Sequence, residues 1–483
     1  MTVATVQNFV GGEWVDSAST ERLDVVNPAT AEPIAQVPLS TREEVDRAVR
    51  VAQEAFQGWR ETPPTARIRY FFRLKELMEA NFEELARTLV MEEGKTIDES
   101  RGEIRRAIEN VEVTTGIPSL MMGYNLEDIA PEIDEECIRQ PLGVFCVIPP
   151  FNFPTMVPMW FLPYAVACGN TFIIKPSEQV PLSMNKLVHL MDEAGFPPGT
   201  VNLVNGARGV AEALMEHPLV KGVSFVGSTA VAKQIYAKAA AHGKRVQCQG
   251  GAKNFMVVMP DAVLERTVPA LITSVYGCAG ERCLSGSVLL AVGEAYEPLR
   301  DAFTEAASRL KVGYGLDESS QMGPVVSRRH KERVLSYINK GVEEGARLLL
   351  DGRHVEVKDY PGFFVGPTVF DRVNPEMTIA RDEIFGPVGS IMRVRDLDEA
   401  VEIIHASPYG NAAAVFTSSG QVARRFQYRV QCGNIGINIG IVAPMAFFPF
   451  GGFKDSFFGD LHGQGRDAVN FFTERKIVIS RWF

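Results

Sequence analysis

Gly143-Val144-Phe145-Cys146-Val147-Ile148 opens a series of apolar runs that decides the architecture of this chain. Thr171-Phe172-Ile173-Ile174, Thr200-Val201-Asn202-Leu203-Val204 and Gly222-Val223-Ser224-Phe225-Val226 continue it. Each run is short and rich in β-branched or aromatic residues, and each is separated from the next by a stretch long enough for a helix. Runs of this kind read as strands buried on both faces, and their alternation with helices builds crossovers on a parallel sheet. The expected fold class is therefore α/β. Such sheets bind ligands beyond the carboxyl ends of their strands, which here are Pro149 to Pro154, Lys175 to Gln179 and Gly227-Ser228-Thr229.

A second alternation starts near Lys253. Phe255 to Met259 reads as a strand, Val263 to Tyr276 as a helix and Val288 to Val292 as a strand, with Cys283 in the turn before the last. The first third is mainly helical. Ser40-x-x-Glu43 reads as a capping box, with Val45, Val49, Ala52 and Phe56 on one face of the helix that follows. Ala66 to Met91 reads as more helix, Gly94 as a stop, and Ile97, Ile104, Ile108 and Val111 as the apolar stripe of another. Lys476 to Ser480 is a strand with little chain left to pair with. It is expected to join another subunit or an earlier excursion such as Glu136 to Gln140.

With 483 residues the chain is too long for a single ordinary core and implies two or three domains. A net charge of −10 with no basic block argues against nucleic acid or an anionic membrane as partner. Seven cysteines, an odd number without framework spacing, fit a reducing compartment, and the N-terminus shows no secretory or transit pattern. Pro141 to Ile174 carries no charge, but its prolines and glycines fit a buried strand-loop-helix segment better than a membrane span. The histidines form no pair at i, i+4 and no knuckle with cysteine, so no metal site is expected.

Gly277-Cys278-Ala279-Gly280-Glu281-Arg282-Cys283-Leu284-Ser285 carries the most informative chemistry. Small residues and an adjacent guanidinium favour a thiolate, so Cys283 reads as a nucleophile rather than a small buried hydrophobe. Cys137, Cys146, Cys168, Cys248, Cys278 and Cys432 have no such setting and take the second reading. Gly227-Ser228-Thr229, between a strand and a helix, offers backbone N–H groups to a phosphate, although a simple serine cap would look the same. Lys175-Pro176-Ser177-Glu178 supplies one cation and one carboxylate, suited to a ribose or to a solvated turn. In Pro150-Phe151-Asn152-Phe153-Pro154 two prolines fix the backbone around an amide that can meet a developing oxyanion.

Together with Glu383-Ile384-Phe385-Gly386-Pro387-Val388, these segments in this order resemble the aldehyde dehydrogenase superfamily over nearly the whole chain. The resemblance implies Cys283 as nucleophile and Asn152 as oxyanion amide, aided by the Cys283 backbone N–H. It implies NAD as cofactor, with Lys175 and Glu178 at the adenine ribose, Ser228 at the pyrophosphate, and Glu383 and Phe385 at the nicotinamide end. Pro149, Phe151, Gln179, Gly227 and Gly250 complete the cofactor surface. The family fold further implies a Rossmann-type NAD-binding domain over residues 1–121 and 141–247, a catalytic domain over 248–432, and a small β flap for oligomerisation from 122–140 and 456–483. A cytoplasmic homotetramer is the expected assembly.

One departure narrows the family reading. Hydrolytic members carry a glutamate that activates water at the position of Gln249, and an amide has no proton to accept near neutrality. The acyl-enzyme then needs a better nucleophile, and coenzyme A is one. Ile108 to Glu112, Pro118 to Gly123, Gly251 to Asn254 and Phe448 to Asp460 resemble the CoA-acylating methylmalonate-semialdehyde dehydrogenases, which usually have Asn where Gln249 stands. That resemblance implies a small semialdehyde bearing a carboxylate, bound by Arg106 and Arg282, with loss of CO2 and release of propionyl-CoA or acetyl-CoA. The alternatives are a hydrolytic NAD(P)-dependent enzyme giving a carboxylic acid, and a non-catalytic structural relative. Retention of Cys283 and Asn152 argues against the second.

Overall fold

The computed structural model describes residues 3–483. Two mixed sheets, each covered by helices, organise the chain, and a small three-stranded sheet projects from them. In the first sheet the strands run in the order Glu13–Val15, Asn8–Val10, Val201–Leu203, Thr171–Ile174, Val144–Ile148, Val220–Val226, Arg245–Gln249 and Phe457–Phe458. The five central strands are parallel and the edges antiparallel. Every side chain of Val144–Ile148 and Thr171–Ile174 is buried, which is why these strands show continuous apolar runs. Val144–Ile148 has its sequence successor on one side and Val220–Val226 on the other, so the crossovers leave in opposite directions and open a crevice at the carboxyl ends.

The second sheet orders Arg347–Leu350, Thr368–Asp371, Val388–Val394, Val288–Val292, Phe255–Val258, Ala412–Phe416 and Asn434–Ile437. All its pairings are parallel except that of the edge strand Arg347–Leu350. Between Phe255–Val258 and Val288–Val292 runs the helix Leu264–Tyr276, and Cys283 follows it in the turn, as the alternation predicts. The α/β class expected from the alternation is the one observed.

Local expectations fare unevenly. The capping box lies one residue later than read: Thr41 accepts the Glu44 N–H and Glu44 accepts the Thr41 N–H at 2.7 Å, while Ser40 accepts from Asn8 at 2.9 Å. Val45, Val49, Ala52 and Phe56 are buried on one face of Arg42–Glu61, as their spacing requires. The helix expected over 66–91 is two, Pro64–Ala80 and Phe82–Glu93, because the Asn81 amide turns back to the Leu77 carbonyl at 2.9 Å. Gly94 ends the second with φ 105°, a conformation that favours glycine. The charge-free stretch 141–174 is a buried strand-loop-helix segment, and among the described residues no helix is long and apolar enough to cross a membrane.

The C-terminal strand Thr473–Arg481 pairs with Ile133–Pro141, Ile477 facing Cys137, so the earlier excursion is its partner within the chain. With Tyr124–Ala130 they form the projecting sheet. The segment 456–483 is not all flap. Phe457–Phe458 extends the first sheet beside Cys248 and Gln249, and Phe471 and Phe472 are buried in the main core.

Candidate active site

At the crevice of the first sheet a cleft of about 440 Å³ is lined by Pro149, Phe151, Asn152, Lys175, Glu178, Gly227, Ser228, Gly250, Cys283, Glu383 and Phe385. Of the expected cofactor residues only Gln179 is absent from the lining. It is exposed, and its backbone N–H is taken by the Ser177 hydroxyl at 3.4 Å. Ser177, Val231, His330 and Arg333 line the cleft without having been anticipated.

The local backbone explains the cradle. Ser228 precedes the helix Thr229–Ala241 but makes no side-chain cap bond, so its hydroxyl and the helix N–H groups stand at the cleft as anion donors. Lys175 donates to Glu178 at 2.9 Å. A Cβ at Gly251 would lie 2.5 Å from Glu383 Oε2, so a side chain there would displace that carboxylate. Its neighbour Ala252 donates its N–H to Glu383 at 2.9 Å and thereby fixes that carboxyl at the cleft wall. Phe385 is held at φ 62°, with its carbonyl accepting from His330 Nε2 at 2.6 Å.

Cys283 lines this cleft and also a second, largely apolar cavity of about 490 Å³, formed by Phe153, Met156, Trp160, Leu284, Ile441 and Phe450 with Arg106 and Arg282. The sulfur thus stands where the two spaces meet. Its backbone is pinned by two amides, Asn254 and Asn411, each donating to the Cys283 carbonyl at 2.8 Å. The turn leading to it passes through left-handed Cys278 and Ala279 and through Gly280 at φ 76°. At Gly280 a Cβ would lie 2.1 Å from the Gly386 carbonyl oxygen.

The electrostatics correct the expectation drawn from Arg282. Burial pushes the Cys283 thiol up to about 12, Glu383 adds to the rise, and Arg282 opposes it only weakly. The reason is geometric: Arg282 Nε donates to Cys278 Sγ at 3.2 Å, while its other nitrogens reach the Thr273 carbonyl and Glu99. Cys278, read as an inert cysteine without a basic neighbour, is the thiol that the guanidinium touches. It too is held at about 12 by burial.

Asn152 is buried and donates its side-chain N–H to the Glu281 carbonyl at 2.7 Å. An amide has two such hydrogens, so one remains for a ligand. Arg106, which its helical position alone would make solvated, is drawn into the cavity wall by the covering loop. It pairs with Glu109 at 3.0 Å and donates to the Ala443 carbonyl at 3.4 Å. Gln249 is buried and donates to the Phe450 carbonyl at 2.8 Å, and its oxygen has no partner among the described residues. Among the described residues no cluster of His, Cys, Asp and Glu could hold a metal ion.

Burial raises Glu383 to about 7 and lowers Lys253 to about 8, and Lys253 Nζ has no hydrogen-bond partner among the described residues. A further set of charges beneath the site escaped the sequence reading. Lys95, Glu103 and Glu281 are all buried there. Their letters carry no pattern that separates them from solvated charges.

The family model for aldehyde dehydrogenases matches residues 14–478. The chain belongs to the aldehyde dehydrogenase family. This aldehyde dehydrogenase is 50% identical over 480 residues to malonate-semialdehyde dehydrogenase 2 of Geobacillus kaustophilus, with 99% of each chain covered. It is 49% identical to the malonate-semialdehyde dehydrogenase of Halalkalibacterium halodurans, over 99% of this chain and 98% of that one. Among solved structures, the methylmalonate-semialdehyde dehydrogenase of Oceanimonas doudoroffii is 45% identical, with a TM-score of 0.98 and 99% of both chains covered. A Sinorhizobium meliloti protein described as a methylmalonate-semialdehyde dehydrogenase, complexed with NAD, is 43% identical with the same TM-score, covering 100% of this chain and 98% of its own. The family and the subfamily likeness are those implied by the motifs.

Proposed function

We propose that this aldehyde dehydrogenase oxidises malonate or methylmalonate semialdehyde with NAD and transfers the acyl group to coenzyme A, with loss of CO2. The observation that carries the reading is the position of Cys283 between a cleft that meets an uncapped helix start and a cavity whose two guanidinium groups, Arg106 and Arg282, are paired with Glu109 and Glu99, with an amide, Gln249, where a water-activating base would be needed. The names of the relatives and the NAD complex of a structural neighbour support the same substrates and cofactor.

The cleft suits NAD: bare glycine backbone at Gly250 and Gly251, the uncapped helix start at Ser228, the Lys175–Glu178 pair, and Glu383 with Phe385 nearest Cys283. NAD, when bound, accepts the hydride released from the aldehyde carbon. The protein does the rest. Arg106 and Arg282 attract the substrate carboxylate and turn the aldehyde toward Cys283. The thiol loses its proton and its sulfur adds to the carbonyl carbon, while the second Asn152 N–H and the Cys283 N–H receive the oxyanion. Loss of hydride leaves a thioester on Cys283. A carboxylate β to that thioester leaves as CO2, its electrons passing into the carbonyl as an enolate that is then protonated. The CoA thiol attacks the thioester and releases Cys283, giving acetyl-CoA or propionyl-CoA.

We assign cofactor binding to residues 1–121 and 141–247 and catalysis to 248–432. Assembly as a homotetramer is assigned to the flap of 122–140 and the part of 456–483 that pairs with it, Thr473–Arg481 and its end, where Leu126, Ile477, Ile479 and Trp482 are exposed. A cytoplasmic location fits the seven free cysteines. The test of function is NADH formation from malonate semialdehyde with and without CoA. One equivalent per site should form quickly without CoA, followed by a slow phase, and CoA should restore continuous turnover. Equal steady-state rates in both conditions would overturn the acyl-transfer reading.

A further inference from the structure

We infer that the buried Lys95–Glu103 ion pair is the device that positions Asn152 against Cys283, a role that rests on the oxyanion reading of Asn152 given above. Both side chains are fully buried, with Lys95 Nζ 2.6 Å from Glu103 Oε2. A buried ion pair is no bargain for stability, because the desolvation of two charges cancels much of their attraction and an apolar pair of similar volume serves as well. Stability alone does not account for it, and its remaining contacts supply another reason.

Apart from Glu93 Oε2, buried 3.7 Å from Lys95 Nζ, those contacts converge on one short loop. Lys95 Nζ donates to the Asn152 backbone carbonyl at 2.6 Å and stands 4.1 Å from the Phe153 ring centroid. Glu103 Oε1 accepts the Thr155 N–H at 2.9 Å, the Thr155 hydroxyl at 2.7 Å and the Met156 N–H at 3.1 Å. The loop between Val144–Ile148 and the turn of helix at Met156–Met159 has no ladder of its own to satisfy these groups, and buried backbone polar groups require partners. The pair therefore replaces a sheet edge or helix for residues 152–156. It does so with charge-assisted bonds, which are short and directional.

From the other side the Asn152 amide donates to the carbonyl of Glu281, which lies in the turn carrying Cys283. The backbone of Asn152 is thus fixed by Lys95 and its side chain by Glu281. With one amide hydrogen used, these two anchors set the direction of the other. The helix Ile97–Thr114 that carries Glu103 also presents Glu99 and Arg106 to the cavity, so the substrate wall and the Asn152 loop share one rigid element. Lys95 and Glu103 are positioning residues: they act through Asn152.

The experiment is single-turnover NADH formation by the full-length enzyme without CoA, for Asn152→Ala, Lys95→Met, Thr155→Val and the double variants Lys95→Met/Asn152→Ala and Thr155→Val/Asn152→Ala. Asn152→Ala should slow the step by about 10²-fold or more, as for loss of an oxyanion donor. Lys95→Met should slow it by about 30-fold alone but by less than about threefold in the Asn152→Ala background, since coupled residues are not additive. NAD affinity and Cys283 alkylation by iodoacetamide should stay within about twofold in Lys95→Met and Thr155→Val, since neither residue lines the cofactor cleft and neither step uses the oxyanion donor. Thr155→Val deletes one hydroxyl and is the arm that decides if Lys95→Met does not fold; a loss of about threefold or more, confined to the wild-type background, is expected. Equal slowing by Lys95→Met or Thr155→Val in both backgrounds, or no slowing by either while Asn152→Ala is slow, would overturn the positioning role. No effect of Asn152→Ala itself would instead remove the oxyanion reading on which it rests.

Discussion

The Asn152 side chain donates to the Glu281 carbonyl at 2.7 Å, joining the loop after a strand of the first sheet to the turn of the second that carries Cys283. Nucleophile and amide come from separate sheets, and this bond ties the two segments directly. Its consequence is that the reactive geometry depends on how the two sheets dock.

Glu383 should restrain the thiol. A nearby carboxylate disfavours the thiolate, and with burial it holds Cys283 at about 12. Removing the negative charge lowers that value. Glu383→Gln is therefore expected to raise the rate of Cys283 alkylation by iodoacetamide at pH 7 to 8 by about threefold to tenfold, in proportion to the thiolate present. In the wild type the rate should climb with pH through 9 without a plateau. A plateau below pH 8 would contradict the high value.

Gln249→Glu should open a path to water. The carboxylate can act as a base, so CoA-independent turnover of the acyl-enzyme should rise by about tenfold or more. The gain is limited by local structure, because the Phe450 carbonyl loses its donor at 2.8 Å and faces a carboxylate oxygen instead. Steady-state NADH formation without CoA measures it. No gain would mean that something other than a missing base keeps water from the thioester.

Arg106 and Arg282 should separate on mutation. Arg106 is held by one carboxylate and one carbonyl at the cavity wall, whereas Arg282 also braces Cys278 and the Thr273 carbonyl behind Cys283. Arg106→Ala should reduce kcat/KM for malonate semialdehyde by about 10²-fold and for propanal by less than about threefold, the loss of a charge-assisted contact. Arg282→Ala should impair both substrates and lower Tm. Equal losses for the two substrates with Arg106→Ala would count against carboxylate recognition there.

Glu92 should make stability fall as pH rises. It accepts the N–H groups of Leu182 at 2.6 Å and Ser183 at 2.9 Å, and burial raises it from 4.5 to about 7. The folded state therefore binds this proton more tightly than the unfolded chain, so its contribution is full below 4.5 and is lost as pH climbs toward 7. Glu92→Gln should flatten the decline of Tm between pH 5 and 8 by about 2 to 4 °C, the span of roughly 1 kcal/mol for a chain of several domains. An unchanged slope would show that Glu92 does not titrate in that window.

The sequence by itself determined the two strand-helix alternations, because buried parallel strands need unbroken β-branched and aromatic runs such as 144–148, 171–174 and 288–292. Through the family resemblance its motifs also pointed to Cys283, Asn152, Lys175, Glu178, Ser228 and Glu383, which the fold gathers around one cleft. Only the tertiary structure decided whom the charges serve. Arg282 reaches Cys278 and lowers Cys283 only weakly, Gln179 stays outside the cleft, and Arg106 is walled in by a loop more than three hundred residues away. Lys95 and Glu103 have the letters of surface residues yet lie at the centre. A charged side chain takes its partner from whatever folding brings within a few ångströms, and helical or strand periodicity records only which side of its own element it occupies.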